Sequence, residues 1–200
     1  MPLPLEEHVR LILLEQERGR RLFDAVSDGW AAFNTNYPRR PLWRRKSSAR
    51  AMMWEEVAAH LVQMDDGRGV RVVEHRDTLS LVLDDEVLVR FKHADTALST
   101  QNVATVEAAK YDDHSVDLFG WSGLQRVRLC YILNQYETEL AWVGIAAHNK
   151  RQFLWKIELG KAGVEVPPVR LPIEAPEVDT TKLARVKGKA SEEDKKKDNG

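Results

Sequence analysis

The stretch Leu79-Ser-Leu-Val-Leu-Asp-Asp-Glu-Val-Leu-Val-Arg-Phe-Lys92 decides the fold class of this 200-residue chain. Apolar residues alternate on both sides of three consecutive acids, Asp84, Asp85 and Glu86. That is the pattern of a β-hairpin with one buried face. A three-residue loop sets Leu83 opposite Val87, Leu81 opposite Val89 and Leu79 opposite Phe91, all on that face. The other face then carries Val82 and Leu88 near the tip, followed by Ser80 with Arg90 and Thr78 with Lys92. A two-residue loop sets Leu79 against Arg90 and Leu83 against Glu86, and is rejected on that ground.

Before the hairpin the chain reads as helical. Leu5, Val9, Ile12, Gln16, Gly19, Phe23, Val26, Trp30 and Phe33 recur at steps of four and three, tracing one stripe over residues 5–33. Gln16 and Gly19 interrupt the stripe, and an interior glycine costs about 1 kcal/mol relative to alanine. The pattern predicts one long helix with a weak middle, or two helices that break near Gly19. It packs on its own domain or, alternatively, forms a partner-binding or homodimerising arm through residues 5–33. Ser47 and Ser48 are caps for a second helix over 48–64, with Met53, Val57, His60, Leu61 and Met64 on its buried side. The linker of residues 34–47 is too long for the turn of a helix-turn-helix reader.

After the hairpin, Ser99 or Thr100 starts a short helix holding Val103, Val106 and Ala109. Residues 125–159 then alternate as three strands. The expected rows are Leu129 with Val143 and Trp155, Val127 with Ile145 and Phe153, and Tyr131 with Ala141 and Ile157. The fold class is therefore α+β: an antiparallel sheet of about six strands in two meanders, within 70–92 and 125–159, packed against N-terminal helices. One domain is expected over 1–160. Pro167, Pro168, Pro172 and Pro176 mark an extended strap over 161–185, and residues 186–200 read as a disordered charged tail.

Composition narrows the function classes. The formal net charge is −1, so affinity for nucleic acid or membrane must come from local clusters. Cys130 is the single cysteine, which excludes an internal disulfide and a cysteine-rich zinc site. A signal-peptide pattern and an apolar run of roughly 20 residues are both missing from the sequence, so a cytoplasmic protein without membrane contact is expected.

The densest charge cluster is Arg39, Arg40, Arg44, Arg45, Lys46 and Arg50, six basic residues within twelve positions. Tyr37, Trp43 and Trp54 lie in or beside it, giving a basic aromatic loop over 37–54. Arginine forks pair with phosphates and aromatic rings stack on bases, so this is a nucleic-acid candidate, with Arg90 and Lys92 of the hairpin added to it. An acidic protein partner or a solvated loop fits the same residues. Asp112, Asp113, His114 and Asp117 form the best metal-like cluster and carry the alternative of a metal-dependent nuclease. Acids in a turn are also ordinary capping chemistry. Glu86 and Lys92 lie roughly 20 Å apart along an extended strand, too far to share a site. A nucleophile elbow and a phosphate loop are both absent, and no cofactor is implied. The sequence therefore points to a non-enzymatic binding or regulatory protein that contacts nucleic acid. A protein-interaction module, acting as adaptor or inhibitor through the N-terminal helix, is the main alternative.

Overall fold

A computed structural model describes residues 3–75, 78–100, 106–116, 120, 122–150 and 152–165. Three helices lead the chain: α1 (Glu6–Leu14), α2 (Arg18–Asn36) and α3 (Lys46–Val62). The strands are β1 (Val70–His75), β2 (Thr78–Leu83), β3 (Val87–His93), β4 (Gln125–Leu133), β5 (Leu140–Asn149), β6 (Gln152–Gly160) and β7 (Gly163–Val164). A fourth helix, α4 (Val106–Asp112), lies between β3 and β4. The strands follow chain order across one seven-stranded sheet.

The hairpin takes the register expected of it. Leu83 pairs with Val87, Leu81 with Val89 and Ser80 with Arg90. Asp84 and Asp85 both adopt positive φ at its tip, 49° and 56°, a conformation aspartate tolerates better than most residues. The inner face of the sheet presents Leu81, Leu83, Val89, Phe91, Val127, Leu129 and Ile145 to the helices. These residues share one core with Val9, Leu22, Val26, Phe33, Met53, Val57 and Leu61.

Four expectations need correction or refinement. The sheet has seven strands rather than six, and it is one surface rather than two separate meanders, because β3 and β4 pair in parallel. A parallel joint needs a crossover, and residues 94–124 supply it. Secondly, the β4–β6 registers are shifted. Leu129 pairs with Ile145 and Ile145 with Ile157, displaced by two and four residues from the expected rows. Both shifts are even, so Leu129, Ile145 and Ile157 keep their face, but Phe153 leaves the expected row and pairs with His148. The β4–β5 shift comes from a loop that runs on to Glu139 and a bulge between Ile132 and Leu133. The β5–β6 shift comes from a later turn, with β5 running to Asn149 and Lys150 at φ 57°, and a bulge between Ala147 and His148.

Thirdly, of the two forms expected for the N-terminal segment the structure has two helices, and the break near Gly19 falls at Gln16 and Glu17, which take positive φ of 50° and 54°. Gly19 lies inside α2, packed toward Val164 and Leu159. Lastly, α3 starts at Lys46 with Arg45 as its N-cap and no side-chain cap bond, so Ser47 and Ser48 are helical residues. The folded unit also passes residue 160, since Gly163 and Val164 pair with β6. The rest of the strap and the charged tail, residues 166–200, lie outside the described residues. Among the described residues, no helix is long and apolar enough to cross a membrane.

Helices α2 and α3 approach closely through Gly29. A Cβ there would sit 2.6 Å from Val57 Cγ2 and 2.7 Å from its Cα, so backbone and side chain alike stand in the way. Gly29→Ala is expected to destabilise the protein by about 1–3 kcal/mol through overpacking. Urea unfolding measures it, and an unchanged midpoint would contradict the packing described.

Candidate nucleic-acid interface

The basic run begins where α2 ends. Trp30 and Phe33 occupy one turn of α2, Tyr37 follows its last residue, and Arg40–Leu42 form a single 3-10 turn. Aromatic rings organise this corner. Phe33 lies 5.6 Å from Tyr37 and 6.4 Å from Trp43, and Tyr37 lies 5.6 Å from Trp43, all between ring centroids. Such tilted and edge-on pairs add about 0.5–1.5 kcal/mol beyond area burial. The Arg40 guanidinium covers this cluster, 5.2 Å from the Trp30 ring and 5.1 Å from Phe33. Arg40 is thereby a lid on the protein's own aromatics.

A cleft of about 300 Å³ opens beside that lid. Its helical wall comes from Trp30, Phe33, Arg40, Trp43, Arg45, Lys46 and Arg50. The opposite wall is the β4–β5 hairpin, with Tyr131, Leu133 and the loop Gln135–Thr138. Lys46 bonds Glu137 across the cleft at 2.7 Å. Arg39, Arg44 and Arg45 are exposed, and no ion pair or hydrogen bond engages their side chains among the described residues. Arg50 is half-buried near Tyr131 and His93. Burial, and then the nearby Arg50 charge, hold His93 below the ordinary histidine value of 6.5, while burial pushes the Tyr131 phenol up.

The structure therefore brings Arg40, Trp43, Arg45, Lys46 and Arg50 to one cleft, with Arg39 and Arg44 flanking them in sequence. It separates Arg90 and Lys92 from that group. Both lie on the outer face of β3, in step with Leu88, while the helices cover the inner face. Tyr131 and Tyr136 are additions from the other wall. Tyr136 is 75% exposed at the tip of the β4–β5 loop. An aromatic in a polar turn, Asn134-Gln-Tyr-Glu-Thr138, was its signal in the sequence, but only the fold brings that loop to the basic run.

The metal-like cluster is engaged in a different way. Asp112 pairs with Arg128. Asp113 accepts from the Ser115 backbone at 3.0 Å and bonds its hydroxyl, with Lys150 3.5 Å away. These Ser115 bonds hold the Asp113 carboxyl below the ordinary carboxylate range. His114 is buried, and its Nε2 donates to the His148 carbonyl at 2.9 Å. His148 Nε2 in turn donates to the Leu98 carbonyl at 3.0 Å. Asp117 lies outside the described residues, and among those described no group of three or more potential ligands is gathered for a metal. These side chains fasten the crossover to β4 and β5.

Comparison with family models, curated proteins and solved structures finds no match to this chain.

Burial holds both His114 and His148 below the ordinary value of 6.5. The folded state thus resists protons that the unfolded chain accepts below that value, so stability is full above it and is lost as pH falls. The urea midpoint should drop between about pH 7 and about pH 5, before carboxylates titrate. His114→Gln should flatten that slope, and an identical slope in the variant would contradict the assignment.

Proposed function

We propose that this protein binds single-stranded nucleic acid in the cleft between the 37–46 segment and the β4–β5 hairpin. The observation carrying this reading is a cleft of about 300 Å³ lined by the unpaired Arg45 and the exposed ring of Tyr136, with the exposed Arg39 and Arg44 next to its lining residues in sequence. Arginine forks follow a phosphate backbone, and an aromatic face stacks on a base whatever its identity. A cleft of this volume, at the low end of ordinary ligand pockets, suits a base unstacked from its neighbours better than a duplex. The role follows as that of a binding or regulatory protein rather than an enzyme.

A second reading has its own observation. Leu5, Leu11 and Leu14 are 62%, 63% and 58% exposed on or beside α1, although their neighbours Val9, Ile12 and Leu13 are buried. Exposed leucines grouped on one short helix favour contact with a protein partner or a second copy.

Fluorescence anisotropy with a labelled single strand separates the two. Binding should weaken with salt at a slope near −0.7 for each phosphate contacted. Reversal to Glu at Arg39, Arg44 and Arg45 should abolish it, and Tyr136→Ala should cost about 1–3 kcal/mol with little change in slope. Arg40 is unsuited to the reversal set because it also holds the aromatic corner. Failure of the wild-type chain to bind DNA or RNA strands at low salt would reject the first reading.

A further inference from the structure

The outer face of the sheet carries a second concentration of cations, unrelated to the cleft. Arg90 pairs in register with Arg128 across the parallel joint, and Ser80 pairs with Arg90 on its other side. Neighbouring strands lie about 4.8 Å apart, so these like charges stand directly side by side. Lys92 follows two residues along the same face, next to buried Cys130.

Like charges placed opposite one another destabilise a sheet unless something compensates. The compensation present is partial. Arg128, 6% exposed, bonds Asp112 and the Thr100 hydroxyl. Arg90 reaches Ser80 Oγ through Nε at 3.3 Å and lies 4.2 Å from the Tyr111 ring. Its two terminal nitrogens donate to nothing among the described residues, and Lys92 Nζ has neither a hydrogen bond nor an ion pair among them. Asp112 is the one carboxylate facing Lys92 there, and its bond goes to Arg128. Burial, then the Arg90 and Arg128 charges, hold the Lys92 ammonium below its ordinary range.

We propose that Arg90 and Lys92, with the Ser80 hydroxyl beside Arg90, form an anion site for a phosphate group on the outer face of β3. The donors match a tetrahedral oxyanion: a guanidinium edge, an ammonium and a hydroxyl, backed by Arg128, which is already fixed by its own partners, Asp112 and Thr100. The ring of Tyr111 positions Arg90. The Tyr111 hydroxyl is itself held between the Leu88 and Val127 carbonyls, at 2.9 and 2.6 Å, so the guanidinium rests on a rigid platform. The phosphate can be free or the terminal group of a nucleotide strand. The site lies on the other face of the sheet from the cleft, and either can fail without the other.

Titration calorimetry of the full chain with inorganic phosphate, at ionic strength matched with sodium chloride, tests the site. Saturable binding is expected, weakened about tenfold or more in Lys92→Met and in Arg90→Met, as loss of a charge-assisted bond implies, and retained in Lys92→Arg. Lys92→Met should unfold in chloride no earlier than the wild type, because it removes an uncompensated half-buried charge. Competition by a 5′-phosphorylated oligonucleotide, but not by its unphosphorylated counterpart, would identify a strand terminus as the source. Competition by neither would leave free phosphate as the source. No phosphate binding above the chloride control, or equal affinity in Lys92→Met, would overturn the proposal.

Discussion

Arg18 is the fastening on which the rest of the molecule depends. It is the first residue of α2, it is 1% exposed, and it bonds both carboxylate oxygens of Asp84 at the hairpin tip, one of them at 2.7 Å. Its Nη1 also donates to the Ile12 carbonyl at the end of α1, at 3.2 Å. One guanidinium thus joins the break between two helices to the central hairpin. A fork of five donors suits this task as a lysine would not. Gly69 completes the pocket, since a Cβ there would collide with the Arg18 guanidinium. The break at Gln16 and Glu17 gains a reason: the positive φ values turn the chain so that Arg18 enters the core instead of continuing a surface helix.

The same tip accounts for the other acids. Asp85 pairs with Arg71 of β1, and Glu86 meets His8 of α1 at 2.7 Å. Three acids in a row have the composition of a catalytic loop, but each is engaged by a different element packed round the hairpin. Beyond the tip, the two faces divide the labour. The inner face is apolar and meets helices. The outer face is mixed, and the crossover with α4 covers it through Tyr111, Leu124, Leu98 and Ala94. Cys130 lies sealed beneath that layer, its thiol pushed up to about 12 by burial, and is chemically inert there.

How much of this was legible follows from the range of each interaction. The hairpin register was readable because three acids interrupt an alternating pattern, so only one loop length puts Leu79, Leu81, Leu83, Val87, Val89 and Phe91 on one face. In β4–β6 the alternation assigned Leu129, Val143, Ile145 and Ile157 to the correct face, but a period of two is blind to even shifts. The turn at Lys150 and the bulges at Ile132–Leu133 and Ala147–His148 decided the register, and neither a lysine in the left-handed region nor these bulges leave a mark in the sequence. The parallel joint was hidden for a related reason: Val87, Val89 and Phe91 satisfy a parallel or an antiparallel neighbour equally well. Of the candidate site, the basic and aromatic residues of 39–50 were visible as composition. Their partner wall, Tyr131 and Tyr136, arrives through β-pairing some ninety residues away. Arg90 and Lys92 were grouped with the loop because charge has no address until the faces of the sheet are known.

The central claim is that the buried Arg18 charge is held in place by Asp84, and a double-mutant cycle in urea unfolding tests it most directly. Asp84→Asn strands a buried guanidinium and should cost about 3 kcal/mol or more, whereas Arg18→Met should cost less, because it leaves only a partly exposed carboxylate. The double variant should fall well short of the sum, with a coupling of about 1–3 kcal/mol. Additive effects, or an Asp84→Asn variant as stable as the wild type, would contradict the claim.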